Sequence, residues 1–527
     1  MESFSSTTYD AVLYPGFALP QAHPDRLATL ATLFGMAPAE LSRCRILELG
    51  CGDGTNLISV AMGLPQAECV GIDLAAAGIQ KGQAVARELG LTNLTLMQHD
   101  LMEVSRDFGQ FDFIIAHGLY SWVPESVRDK LLAICKENLR ENGIAYVSYN
   151  TYPGSHFRDM VREMMRYHVQ EFTDPHQQVT QARALVEFLA QEAKTDGDLY
   201  RLVLQKELAR IRSFRDSSLF HDDLADCNAP VYFSQFVTHA TQHGLQYLSE
   251  AQFFETQSGI FPPQVAETLN HISDSIIAKE QYLDFLKGRR FRQTLLCHAQ
   301  HKLDYQLRPE KIEGLYIAAP VQTESPQIDL RSRTVVTFHG PEKSSIETDD
   351  PLVKATMVTL SEVWPEAIHF DALLTRARKR CGSDVDGYTR SLGDEKQGLT
   401  SLLLRAYAGG VISLHVSPPP VAARPGERPL ASPLARLQSL TGDRLTNLRH
   451  HTISIEDALS HCFLRLLDGS RDRGALLDAL VALVESGTVT IETNGQPVGD
   501  ANAIRQFLSE GLERNLNELI QLSLIMQ

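Results

Sequence analysis

Arg45-Ile46-Leu47-Glu48-Leu49-Gly50-Cys51-Gly52-Asp53-Gly54-Thr55-Asn56 decides how this chain is read. A largely apolar, strand-forming run enters a turn with glycine at every second position, and a helix-forming segment follows over 55–62. Glycine is needed where the backbone takes positive φ or approaches a ligand closely. Strand, turn and helix together therefore read as a ligand loop at a sheet edge. The position three past Gly52 is Thr55, so the G-x-G-x-x-G dinucleotide fingerprint fails, and no G-x-x-x-x-G-K-[ST] phosphate loop occurs.

Outward from this loop, short apolar runs alternate with helical segments. Arg45–Leu49, Cys69–Asp73, Leu94–Gln98, Phe111–Ala116 and Ile144–Tyr149 are the expected strands, the pattern of parallel βαβ units. Ala75–Leu89 and Ser126–Leu139 carry helical spacing, with Gly90 and Gly143 as expected stops. The expected fold class is α/β: a doubly wound, mostly parallel, Rossmann-like sheet within residues 1–155. A helical insertion follows in 156–325, and the strand-capable segments within 244–300 are candidates to complete the sheet. Met160, Val161, Met164 and Met165 lie on one face of the insertion and read as core filler ahead of a malleable substrate surface. A polar stretch at 324–350 reads as a linker. Residues 345–425 are expected to form a winged-helix-like α+β domain, closed by Pro418-Pro419-Pro420, and 426–527 a mostly helical last domain.

The chain has 527 residues, a formal net charge of -16 and 43% hydrophobic residues. That length predicts several domains. An acidic balance argues against a nucleic-acid partner, which needs clustered Lys and Arg. Eight cysteines without a CxxC pair give no zinc-finger or disulfide framework, and no metal is expected. The start, Met1-Glu2-Ser3-Phe4, lacks a basic region before an apolar stretch, and no apolar run approaches ~18–20 residues. The expectation is a cytoplasmic protein without membrane insertion.

The loop at 48–54 resembles the E/D-x-G-x-G-x-G turn of class I methyltransferases. The resemblance implies S-adenosylmethionine as cofactor, released as S-adenosylhomocysteine, with the helix N-terminus after the loop facing the methionine carboxylate. Asp73, about 20 residues past the loop, is placed for the ribose hydroxyls. Asp100, after His99 at the end of the third strand, is placed for the adenine amino group. Singly, Asp73 reads equally well as a helix cap, Asp100 as a turn starter and Asp112 as a solvated strand-edge charge. Together they mark successive carboxyl ends around one crevice. The cofactor-binding set expected from this resemblance is Glu48, Gly50, Cys51, Gly52, Gly54, Asn56, Asp73, Leu74, Gln80, Asp100, Leu101 and His117. Tyr120, Trp122, Tyr149 and Asn150, at the ends of the fourth and fifth strands, are expected to orient the substrate, by aromatic enclosure and cation–π contact, with plain packing the alternative for Tyr120 and Trp122. No residue is singled out as the base.

The strings HGLYSWVP (117–124), SYNTYPG (148–154), GLQYLSEAQFF (244–254), TNLRH (446–450) and LLDGSRDR (466–473) carry a narrower resemblance. They are similar to bacterial methyltransferases with a methyltransferase regulatory domain, a group that includes lysine methyltransferases acting on an outer-membrane protein. This implies a catalytic domain, a middle regulatory region and a C-terminal winged-helix region, with protein lysine as substrate for some members. The chain departs from many relatives at Cys51-Gly52-Asp53-Gly54, where they have Ala-x-Gly-Gly, and at Ser155, where they have Trp. Tyr9 and Tyr14 resemble the start of that group and suggest a lid; plain packing explains them as well.

Three functions therefore stand open: a protein-lysine methyltransferase with a protein substrate, a small-molecule methyltransferase, and a cofactor-binding regulator using its winged-helix region on a partner or DNA. The basic run Arg376-Ala377-Arg378-Lys379-Arg380 is short and reads first as a solvated helix face. A homodimer is kept among the expected partners.

Overall fold

The computed structural model describes residues 12, 14–191, 198–324, 328–382, 391–493, 496–497 and 500–526. The chain forms two compact units. The first takes Met36–Ala61 and Gln66–Leu303 with the chain up to Gly16, and the second takes Phe17–Gly35, Met62–Pro65 and Asp304–Gln527.

The first unit is built on a seven-stranded sheet of β1 (Arg45–Leu49), β2 (Glu68–Asp73), β3 (Leu94–Gln98), β4 (Phe111–Ala116), β5 (Leu139–Asn150), β6 (Leu245–Glu250) and β7 (Phe291–His298), in the order β3-β2-β1-β4-β5-β7-β6. The first five strands pair in parallel, and β7 runs antiparallel to both β5 and β6. The order reverses between β1 and β4, and in open α/β sheets a crevice for ligands lies there, outside the carboxyl ends of the strands. The apolar run of β4 is buried along its whole length, as a strand covered on both faces requires.

Helices α1 (Thr55–Gly63), α2 (Ala76–Glu88) and α3 (Glu125–Glu137) connect the parallel strands. Gly90, at φ +66°, follows the end of α2 as its sequence promised. Gly143 does not stop α3. That helix ends at buried Asn138, whose side-chain amide donates to the carbonyls of Ser105 and Gly109. Gly143 instead lies inside β5, which begins at Leu139 opposite Phe111; the exposed Arg140, Glu141 and Asn142 disguise this early part of the strand. Asp112 is not a solvated edge charge either. It is buried, accepts the Arg45 amide at 2.8 Å and pairs with Arg140 at 2.9 Å.

Between β5 and β6 lies the helical insertion: α4 (Ser155–Val169) and the helices Pro175–Gln191, Leu199–Ser213 and Asp216–Asp223. It has a core of its own, in which Met165 is enclosed and Met160 and Met164 pack at the margin, so these methionines are filler. Two helices, α5 (Phe233–Gln242) and α6 (Ile276–Lys287), then flank the antiparallel strands. Arg292 of β7 is fully buried and donates to Glu250 of β6 and to Glu280 and Asp284 of α6, at 2.7, 3.1 and 2.8 Å.

The second unit contains two hydrophobic cores. One holds a three-stranded antiparallel sheet, Tyr316–Ala318 between Ile368–His369 and Ser413–His415, with helices Pro351–Val363, Phe370–Cys381 and Leu392–Ala408. The other gathers helices Ala458–Leu466, Arg473–Glu485 and Ala501–Gln521 with the strand pairs Arg444–Thr446/Thr452–Ser454 and Glu492–Thr493/Gln496–Pro497. Among the described residues, no helix is long and apolar enough to cross a membrane.

Candidate active site at the carboxyl edge of the sheet

At the end of β1 the chain makes the glycine turn. Gly50, Gly52 and Gly54 all take positive φ, at 71°, 57° and 71°, which accounts for their spacing. The turn is bound to β2 by the Gly50 and Cys51 amides, which donate to the Ile72 carbonyl. A Cβ added at Gly52 would meet nothing within 4 Å, so open space borders the backbone there. Helix α2 reaches the loop through Gly78 and Gly82, where a Cβ would press on the carbonyl oxygens of Gly52 and Asp53.

Asp73, at the end of β2, holds this loop: one carboxylate oxygen accepts the Gly52 amide and the other the Ala75 amide, both at 2.8 Å. A carboxylate offers about four lone-pair positions, so gripping the loop leaves it capable of accepting hydroxyl groups too. Asp53 caps α1 by accepting from the Thr55 amide and hydroxyl, and pairs with Lys81 at 2.8 Å. The N-terminus of α1, expected to face a ligand carboxylate, thus has one of its amides satisfied by its own chain.

Glu48 is 3% exposed. One of its oxygens accepts from the Asn56 amide at 3.2 Å, while the other is buried without a hydrogen-bond partner. Burial pushes its pKa up to about 8. A buried carboxyl oxygen without a hydrogen-bond partner is costly.

At the end of β3, Asp100 caps a short turn by accepting the Met102 amide at 2.8 Å. His99 stacks on Phe108 with ring centroids 5.4 Å apart, and its Nε2 is a second buried atom without a partner. Leu101 packs at the margin of the main core and Leu74 is exposed. Gln80 is exposed as well. Lying two residues from both Gly78 and Gly82, about half a helical turn away, it faces away from the loop.

After β4, the Nδ1 of His117 lies 2.9 Å from the Tyr146 hydroxyl, and burial lowers its pKa to about 4. The ring is neutral at physiological pH. The Gly118 amide donates to the Ser148 hydroxyl at 2.8 Å, joining the ends of β4 and β5.

The four residues expected to orient substrate divide. Tyr120 and Tyr149 are enclosed, 3% and 1% exposed. The Tyr120 hydroxyl meets His239 Nδ1 at 2.8 Å; that of Tyr149 meets Thr294 at 3.0 Å, and its ring stacks on Phe236 at 4.1 Å. Both side chains belong to the main hydrophobic core. Trp122 is half-buried, with the Arg158 guanidinium 5.7 Å from its ring centroid.

Asn150, the last residue of β5, begins a polar relay that spacing did not disclose. Its side-chain amide donates to Asn228 at 2.8 Å, and Asn228 donates to Asp159 of α4 at 3.0 Å. The other Asp159 oxygen accepts the Tyr152 hydroxyl at 3.2 Å, and burial raises the pKa of this acid. Asn228 and Asp159 enter from the helical insertion, 78 and 9 positions from Asn150, with no local motif to announce them. Tyr14 donates to Asp222 at 3.3 Å and packs edge-on against His221, while Tyr9 lies outside the described residues.

Three families match the chain in order: "Methyltransferase domain" at residues 46–143, "Predicted methyltransferase regulatory domain" at 215–298, and "PKMT, C-terminal winged helix domain" at 427–524. The winged-helix match falls on the last segment, C-terminal to the 345–425 region for which the sequence suggested such a module. Protein RP789 of Rickettsia prowazekii is 34% identical over 511 residues, 95% of this chain and 90% of the relative. The structure of PKMT2 from Rickettsia typhi in complex with AdoHcy superposes with a TM-score of 0.88 at 28% identity, covering 98% of this chain and all of that one. A trans-aconitate 2-methyltransferase of Deinococcus radiodurans is 35% identical over 103 residues, 20% of this chain and 36% of the relative. On the full-length likeness and the ordered matches, the chain belongs to the class I S-adenosylmethionine-dependent methyltransferases that carry a methyltransferase regulatory domain.

Proposed function

We propose that this enzyme transfers the methyl group of S-adenosylmethionine to the side-chain amine of lysine in a protein substrate. The observation that carries the reading is likeness along the whole chain, insertion and C-terminal unit included, to a structure named PKMT2, whose letters abbreviate protein lysine methyltransferase. The residues fit the donor. Gly52 presents open backbone within the positive-φ turn, Asp73 suits the ribose hydroxyls, and the buried Glu48 oxygen without a hydrogen-bond partner suits the ammonium of the methionine moiety. Cys51, Asn56, His99, Asp100 and Leu101 complete the proposed wall, and His117 is kept neutral by burial, so it adds no positive charge beside a sulfonium.

When bound, the donor supplies an electrophilic methyl group. The chain's own task is alignment, which supplies about 7–11 kcal/mol, and preparation of the amine. A free lysine has pKa ~10.4, so baring its lone pair at pH 7 costs about 4–5 kcal/mol. Asn150 is the proposed orienting residue: its NH2 group is committed to Asn228, which leaves its carbonyl oxygen as the acceptor for the incoming amine. Asp159, raised by burial and held by Asn228 and Tyr152, is the proposed acceptor of the amine's proton. The new N–C bond then forms as the S–C bond breaks.

Incubation with labelled donor and protein fractions, followed by mass spectrometry, tests the proposal. Lysine methylation in polypeptide is expected, and Asn150→Ala should lower kcat by about 10²–10⁴-fold with donor affinity unchanged. Label confined to small metabolites contradicts the protein substrate and favours a small-molecule methyltransferase.

A further inference from the structure

Asp129 of α3, His239 of α5 and His243, which caps the C-terminus of α5, converge on the surface of the first unit. Asp129 Oδ1 lies 2.8 Å from His243 Nε2 and 3.4 Å from His239 Nε2, and one ligand atom from each residue lies within 4.8 Å of the others. We propose that these three residues form a binding site for a divalent transition metal of the zinc type, with a fourth position open to water.

Residues at i and i+4 share a helix face, so His239 and His243 aim two imidazoles at one point. Zinc takes imidazole nitrogen and carboxylate oxygen at about 2.0–2.2 Å in a tetrahedron, which puts ligand atoms roughly 3.3 Å apart. The 3.4 Å separation already matches, and the 2.8 Å one needs only a small opening. A ligating histidine ordinarily donates its other ring N–H to an outer partner, and His239 has one, since its Nδ1 lies 2.8 Å from the Tyr120 hydroxyl. Access is also provided, because the Asp129 side chain is 63% exposed and the two histidines about a fifth. No local spacing announces the site, because the two histidines gain their third ligand only through the fold. Asp129 lies in the stretch matched as methyltransferase domain and both histidines in the stretch matched as regulatory domain. The bound metal would pin α5 to α3.

A carboxylate shared by two imidazole N–H groups also stands without metal, and the experiment separates the two cases. The full-length chain, stripped with chelator, is titrated with zinc chloride in a calorimeter and with cobalt(II) chloride by visible absorption. One zinc per chain and the strong visible band of tetrahedral cobalt are expected. Tyr120→Phe, which removes only the outer hydrogen bond, should weaken zinc by roughly 10–100-fold. His243→Ala and Asp129→Asn, each checked for folding by circular dichroism, should weaken it by more. Absence of stoichiometric zinc binding overturns the proposal, as does wild-type affinity in either ligand variant.

Discussion

The Glu48 carboxyl concentrates the chemistry of the proposed donor site in one residue. Its pKa in the folded protein is about 8, raised above 4.5 by burial. The folded state therefore holds a proton that the unfolded chain releases. The stability this confers is complete below about pH 4.5 and is lost as pH rises through about 8, at ~1.4 kcal/mol for each pH unit between. Glutamine carries no such proton. Urea unfolding of Glu48→Gln should show a flatter dependence on pH over that window, with the variant the more stable at pH 8. If the same carboxyl meets the donor's ammonium, the substitution also removes a charge-assisted hydrogen bond of about 1.5–3 kcal/mol, a loss of roughly 10–100-fold in donor affinity. The motif made Glu48 visible in the sequence. Its unpartnered oxygen was not, because that depends on which atoms of other strands fail to reach it. Gln80 shows the converse: its position in the chain suggested a contact, yet it falls on the exposed face of α2, opposite Gly78 and Gly82.

Among elements, the antiparallel edge is held by a buried charge. Arg292 of β7 faces three carboxylates from β6 and α6 and lies 3.8 Å from the centroid of the Phe233 ring. Removing one member of such a network leaves uncompensated charge in the interior, which costs about 3–5 kcal/mol. Arg292→Met should lose stability of that size in a denaturant titration, and a loss below about 1 kcal/mol would contradict the role given to the network. None of this was legible in advance, since the partners of Arg292 lie 8, 12 and 42 positions away. The parallel strands were legible, because each is a short apolar run bounded by turn residues. The start of β5 was not, because Arg140, Glu141 and Asn142 are solvent-facing strand residues with the composition of a loop.

For the whole molecule, the net charge of -16 has a kinetic consequence. An acidic protein draws basic partners through long-range attraction that salt screens with a Debye length of ~10 Å at 0.1 M. Under the proposed function, kcat/KM for a lysine-rich protein substrate should fall as ionic strength rises, while donor affinity changes little; a rate indifferent to salt would contradict steering by charge. The order of catalytic, regulatory and winged-helix segments was readable from motifs spread along the chain, but the winged-helix match lies at 427–524 and not at the expected 345–425. The relay Asn150–Asn228–Asp159 was not, because it exists only once the helical insertion folds back onto the end of β5.

Under the proposed function the glycine loop forms the donor's cradle. Gly52 tests it directly, since a methyl group there meets no protein atom within 4 Å yet extends into the proposed cradle. Left-handed backbone at this position costs a side chain about 1–2 kcal/mol, which the fold should survive. Calorimetric titration of S-adenosylhomocysteine into the full chain should give one site per chain, and Gly52→Ala should weaken it at least about tenfold while remaining folded. A wild-type chain that does not bind the ligand, or a folded Gly52→Ala protein that binds it as tightly as wild type, would contradict the assignment.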